Sequence, residues 1–166
     1  MTNQMTAINH IGIHVGDINK AIEFYKEAMG WWHIAGPFEC RNDSTSKWAF
    51  TNSIYENEGN TWESFQLAHM TTANGVGIEL LQFENAYDPE KHLEFKRRGI
   101  FHFAITVRDI DSFLEKFVAL GGKLYSDRSD RPVSDKNTIT TIFVEDPFGN
   151  VFEVHSHSYE YMNKMF

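Results

Sequence analysis

Two histidines and two glutamates stand where apolar residues would be expected. His10 and His102 each open an alternating apolar segment, and Glu79 and Glu153 each sit inside an apolar run, GIELL and VFEVH. An ionised carboxylate in such a run is costly to bury unless it is paired or holds a cation. Two imidazoles with two carboxylates suit one divalent ion: Zn, Ni, Co, Mn or Fe. Four protein ligands on a six-coordinate ion leave two positions open, which a small molecule with two adjacent oxygens can occupy. The ion then acts as a Lewis acid and eases removal of a proton from carbon beside a carbonyl.

The spacing of the histidines comes from an internal repeat, the first feature to seek in any chain. With His10 laid over His102, seven of 21 aligned positions are identical: His10/His102, Ile13/Ile105, Val15/Val107, Asp17/Asp109, Ile18/Ile110, Glu23/Glu115 and Gly30/Gly122. The glutamates are also paired, because Glu79 and Glu153 each follow a glycine, Gly75 and Gly149, by four residues. A single histidine on a strand is ordinarily a core residue. The same residue types in both copies of a repeat are not what core packing alone produces.

The elements that must position these groups follow from periodicity. Ile11, Ile13 and Val15 alternate with His10, Gly12 and His14, and Phe101, Phe103, Ile105 and Val107 alternate with His102, Ala104 and Thr106. Both segments read as half-buried strands. Asp17 and Asp109 stand where helix N-caps are wanted. Ala21, Ile22, Phe24, Tyr25 and Met29 then follow at helical spacing, as do Phe113, Leu114, Phe117 and Leu120. Gly30 and Gly121-Gly122 mark the helix ends.

Further strands are expected near 31–38, 62–71 and 75–83, and near 123–126, 138–145 and 151–157. The turn Asp146-Pro147-Phe148-Gly149-Asn150 precedes the last of them. The fold class is therefore α+β: two tandem βαβββ modules, about 7–83 and 100–157, forming a curved mixed sheet around a metal cavity. Residues 39–61 read as an insertion and 84–99 as a linker with a short helix near 89–97. The tail 158–166 reads as frayed or packed on a partner chain.

Bulk properties exclude several classes. The 166 residues carry a formal charge of −8 with 15 Lys and Arg, against binding to a phosphate backbone. Lys96-Arg97-Arg98 is the one basic cluster, and three residues read as a solvated turn. No apolar run approaches the ~18 residues that span a bilayer, and MTNQMTAINH lacks the basic start and apolar run of a signal peptide. A cytoplasmic protein is expected. Cys40 is the only cysteine, so no internal disulfide forms, and nothing around it suggests an activated thiolate.

The segments HIGIHVGDINKAIEFY, GIELL, HFAITVRDI and DPFGNVFEV resemble the glyoxalase I/bleomycin-resistance/dioxygenase superfamily, the vicinal oxygen chelate fold. The resemblance implies a homodimer, with a metal site within one chain or shared between chains. It carries the ligand set over to His10, Glu79, His102 and Glu153. It implies a lyase or isomerase of the glyoxalase I or acyl-CoA epimerase type, with Glu153 as the first choice of base and Glu79 as the second. In glyoxalase I an Arg follows the first His by four residues and an Asn follows the first Glu by four. Here His14 and Phe83 hold those positions, giving a more aromatic, less cationic substrate pocket and arguing against glutathione. His155, two residues after Glu153, is placed with His14 and Phe83 among the substrate-binding residues and as a partner or proton relay for Glu153. His157 reads as solvent-facing, and spacing gives His33, His69 and His92 no role. The aromatic residues Trp31, Trp32, Phe38, Trp48, Tyr55, Trp62 and Phe65 are candidates for a hydrophobic pocket, most of them for the core.

Other functions open to the fold are an Fe(II) or Mn(II) ring-cleaving dioxygenase, a fosfomycin-type thiol transferase and a drug-binding protein. The first two dispense with Glu79 as a ligand, and the last needs no tightly held metal.

Overall fold

The computed structural model describes residues 5–42, 62–84, 86, 96 and 98–164. The expected helix near 89–97, most of the 39–61 insertion, and Trp48, Tyr55 and His92 lie outside them. The chain divides into two units, Met1–Tyr87 and Asp88–Phe166.

The first unit runs β1 (His10–His14), α1 (Ile18–Met29), β2 (Trp32–Arg41), β3 (Ser64–Thr71) and β4 (Gly77–Phe83). Its sheet order is β1-β4-β3-β2, with β1 parallel to β4 and the other pairs antiparallel. The Asp17 side chain accepts the Lys20 N–H at 3.1 Å and starts α1. That hydrogen bond holds the Asp17 carboxyl below its ordinary pKa. Gly30 ends the helix in the left-handed region at φ 65°, where only glycine is free of steric cost. The apolar stripe of α1 buries Ile18, Ala21, Ile22, Phe24, Tyr25 and Ala28, and Trp31 stacks on Tyr25 at 5.0 Å.

β2 runs three residues past the expected Phe38, so the insertion begins after Arg41. Its ladder is irregular between His33 and Ala35 and between Ala35 and Phe38, around a cis Gly36–Pro37 bond. Gly36 is required there. Its φ is 95°, and a Cβ would sit 2.6 Å from the Leu67 carbonyl oxygen.

The second unit runs β5 (Ala104–Thr106), α2 (Ile110–Ala119), β6 (Lys123–Leu124), β7 (Ser129–Ser134), β8 (Asn137–Glu145), β9 (Val151–His155) and α3 (Tyr159–Asn163). Its strand order is β5-β9-β8-β6, and β7 also pairs with β8. Thus the expected mixed α+β class holds, but the second module is not a plain βαβββ. β7 was not expected, because Pro132 within SDRPVS hides a strand; proline is tolerated here since β7 pairs only with β8 among the described strands. Asp109 caps α2 through the Ser112 N–H at 3.0 Å. The second-copy glycine acts differently from Gly30: a Cβ on Gly122 would meet the Phe117 ring at 2.1 Å. Leu120 falls outside the helix and is 38% exposed. The core of this unit stacks Phe103 on Phe152 at 5.0 Å, with Phe117 edge-on at 5.9 Å.

Residues 158–164 pack on their own unit. Ser158 caps α3, Asn137 Nδ2 donates to Tyr161 Oη at 2.6 Å, and Arg131 donates to the Met162 carbonyl at 3.2 Å. β7 and β8 supply these anchors, so residues 158–164 are not frayed.

Candidate metal centre

The first half of the site is built on one face of the first sheet. Residues directly opposite across a ladder share a face. Glu79 lies opposite Gly12 on β1 and opposite His69 on β3. His10 and His14 flank Gly12 on that same face. Because Gly12 has no side chain, His10 reaches Glu79 diagonally, with Nε2 at 3.6 Å from Oε2. His69 Nδ1 approaches the other oxygen, Oε1, at 3.8 Å. Farther along the face, the His14 ring stacks on Phe83 at 5.1 Å. Desolvation by the surrounding chain holds His14 below the ordinary histidine pKa, so it is neutral at pH 7. Beyond it lies a buried cluster of Cys40, Trp62, Phe65, Leu67 and Leu81, with Phe83 against it. Burial pushes the Cys40 thiol up to about 11, so it is no nucleophile.

The second unit repeats the arrangement with different neighbours. Glu153 lies opposite Ala104 on β5 and Phe143 on β8. His102 precedes β5 by two residues, outside the short ladder, and reaches Glu153 Oε2 with Nε2 at 3.0 Å. His155 Nε2 meets the same oxygen at 3.2 Å. The other nitrogen of His155, Nδ1, is 2.9 Å from Thr141 Oγ1. His102 Nδ1 is buried without a hydrogen-bond partner among the described residues. The ring of His102 packs edge-on against Phe143 at 5.1 Å.

Each His–Glu pair fits two neighbouring ligands of one ion. Metal–nitrogen and metal–oxygen bonds of about 2.0–2.2 Å place adjacent ligand atoms roughly 3.0–3.4 Å apart. The observed 3.6 and 3.0 Å separations lie close to that span. Among the described residues, no group of three or more His, Cys, Asp or Glu side chains is placed to hold a metal. Each unit therefore offers a pair of donors, not a complete cage.

The expected pairs His10/Glu79 and His102/Glu153 are thus each brought together within a unit, as are His14 with Phe83 and His155 with Glu153. His69 was missed. Its signal lies in the hairpin: His69 and Glu79 are each five residues from Asn74, in the turn that joins their strands. Of the aromatic candidates, Trp31, Trp62 and Phe65 are buried, whereas Trp32 is 73% exposed. His157 stacks on Tyr161 at 4.8 Å, so it serves the tail rather than facing solvent alone.

Comparison with known proteins agrees with this architecture. The family model described as the glyoxalase/bleomycin resistance protein/dioxygenase superfamily matches residues 7–154. A glyoxalase family protein from Bacillus cereus superposes with a TM-score of 0.61 at 19% identity, covering 92% of this chain and 95% of that one. The fosfomycin resistance protein FosX from Listeria monocytogenes gives 0.59 at 18% identity, covering 98% and 100%. A variant of glyoxalase I from Zea mays gives 0.56 at 21% identity, with 91% of this chain matching 45% of that one. At such identities the likeness extends to the fold alone. One FosX structure, superposing at 0.58, contains Mn(II) and 1S,2S-dihydroxypropylphosphonic acid. No curated protein matches the sequence. No helix among the described residues is long and apolar enough to cross a membrane.

Proposed function

Because the chain belongs to the glyoxalase/bleomycin resistance protein/dioxygenase superfamily, we propose that it is a metal-dependent lyase or isomerase acting on carbon beside a carbonyl. The observation that carries this reading is the His–Glu pair that occurs once in each unit. His10, Glu79, His102 and Glu153 would hold the ion. When bound, a divalent ion (Zn, Ni, Co, Mn or Fe) supplies Lewis acidity to a substrate with two adjacent oxygens. A four-donor set needs both kinds of unit, from one chain or from two, and the proposal includes a homodimer working in the cytoplasm.

The chain's own groups supply the proton transfer. Glu153 is the base that takes the proton from carbon, and Glu79 is the second choice. Glu153 is 20% exposed against 32% for Glu79, so its carboxylate is less hydrated and its reach more fixed. The neutral His14–Phe83 stack offers the non-reacting part of the substrate a flat, uncharged surface. That surface suits an apolar group better than the carboxylates of glutathione.

Metal analysis of the purified protein tests the reading, followed by turnover of hemithioacetal, acyl-CoA and catechol substrates with and without added metal. Glu79→Gln and Glu153→Gln are each expected to lower metal content and turnover. Full metal and full turnover in both variants would place the site elsewhere. The dioxygenase and thiol-transferase readings use two His and one carboxylate. They predict that Glu79→Gln alone leaves metal content intact, with oxygen uptake on catechols or thiol consumption marking which applies.

A further inference from the structure

Two imidazoles address one oxygen of Glu153, and their other nitrogens are treated differently. An ionised carboxylate only accepts hydrogen bonds, so each imidazole must present an N–H to Oε2. For His155 this is a settled arrangement. With its proton on Nε2, Nδ1 carries a lone pair, and the Thr141 hydroxyl donates to it at 2.9 Å. Thr141 and His155 face each other across the β8–β9 ladder, which fixes the contact in the sheet. His102 has no such support, because its Nδ1 is buried with no partner among the described residues. Moving the His102 proton from Nε2 to Nδ1 therefore breaks no bond at the far side of the ring. The same move in His155 would set an N–H against the hydroxyl and turn that hydroxyl away.

We propose that His155, oriented by Thr141, is a positioning residue that keeps Oε2 of Glu153 engaged, while His102 is the imidazole released to bind metal. The proposal rests on the metal-site reading above. It divides labour between two histidines that distance alone, 3.0 against 3.2 Å, does not distinguish. It also names the oxygen left for chemistry. Oε1 of Glu153 accepts from neither imidazole, so it is the oxygen left to take a proton. Hydrogen-bonded neighbours of ligands typically change metal affinity 10- to 100-fold when removed.

The test is a Co(II) titration of the full chain by calorimetry and visible absorption, with the ring 15N resonances of the metal-free wild type recorded alongside. His155 is expected as the Nε2–H tautomer. His155→Phe is expected to weaken Co(II) binding about 10- to 100-fold. His155→Gln, whose side-chain amide also offers an N–H to Oε2, is expected to recover most of that loss. Thr141→Val is expected to weaken binding less than His155→Phe does. An Nδ1–H tautomer for His155 overturns the proposal, and so does wild-type affinity in His155→Phe. Equal losses in the Phe and Gln variants also overturn it, since they would indicate only a structural role. Should His155→Phe fail to fold, the tautomer in the unaltered protein still decides. If Glu153→Gln and His102→Ala bind Co(II) as tightly as wild type, the metal-site reading itself has failed. If they lose affinity while His155→Phe does not, only the positioning role is gone.

Discussion

The two units hold the same pair of residue types under different tension. In the first, Glu79 has two imidazoles on different oxygens at 3.6 and 3.8 Å, and His10 is 48% exposed. In the second, Glu153 has two imidazoles on one oxygen at 3.0 and 3.2 Å, and His102 is 24% exposed. The second imidazole also arrives by different routes, across a hairpin as His69 or along the strand as His155. Duplication thus preserved a His–Glu pair and let its surroundings diverge. One carboxylate is approached closely by its two imidazoles, and the other at longer range.

That contrast predicts unequal losses. Replacing Glu153 by Gln should reduce turnover by roughly 100- to 10,000-fold, the usual contribution of a general base. Replacing Glu79 should cost less, as steady-state rates at saturating metal will determine. Equal losses would erase the distinction between the units. Saturating metal should also raise the melting temperature. At a concentration about 100 times Kd the stabilisation is about 2.7 kcal/mol, and either glutamine variant should lose part of it at that fixed concentration.

The paired glycines sharpen the comparison through stability. Gly122→Ala forces a methyl into the Phe117 ring and should cost roughly 1–3 kcal/mol or more, as overpacked cores do. Gly30→Ala meets no neighbour within 4 Å and should cost only the left-handed backbone penalty, about 1–2 kcal/mol. Urea melts of the two variants compare them directly, and a larger loss at Gly30 would contradict this assignment.

The helix caps should behave alike in both units. Asp17 and Asp109 have pKa values lowered by the backbone N–H groups of Lys20 and Ser112. A carboxyl lowered on folding stabilises above its unfolded pKa and loses that contribution as pH falls through the folded value. Asp17→Ala and Asp109→Ala should each lower the melting temperature at pH 7, and the deficit should shrink on acidification below the ordinary carboxylate range. The smallest effect is expected at Cys40. Its thiol, pushed up to about 11 and buried, should resist alkylation at pH 8 until denaturant is added.

Much of this was legible because it is local. Alternation around His10, the caps Asp17 and Asp109, and the apolar runs holding Glu79 and Glu153 each follow from a few neighbouring residues. What the sequence hid depends on partners far away in the chain. Pro132 argues against a strand until β8 is known to be its partner. The bulges around Gly36–Pro37 break the alternation that would have carried β2 through to Arg41. His69 acquires meaning only from the register of β3 on β4. β5 extends over three residues rather than the seven its alternation suggests, since its pairing with β9 stops at Ala104.

Opposite each glutamate the adjoining strand presents almost nothing, Gly12 in one unit and Ala104 in the other. The space beside each glutamate is thus left by residues with little or no side chain. A methyl at residue 12 would rest 3.4 Å from Leu81 Cδ1, an ordinary contact, so the floor beneath Glu79 can rise by one carbon at little cost. In the proposed site, the room beside Glu79 is therefore governed by a position with no chemistry of its own.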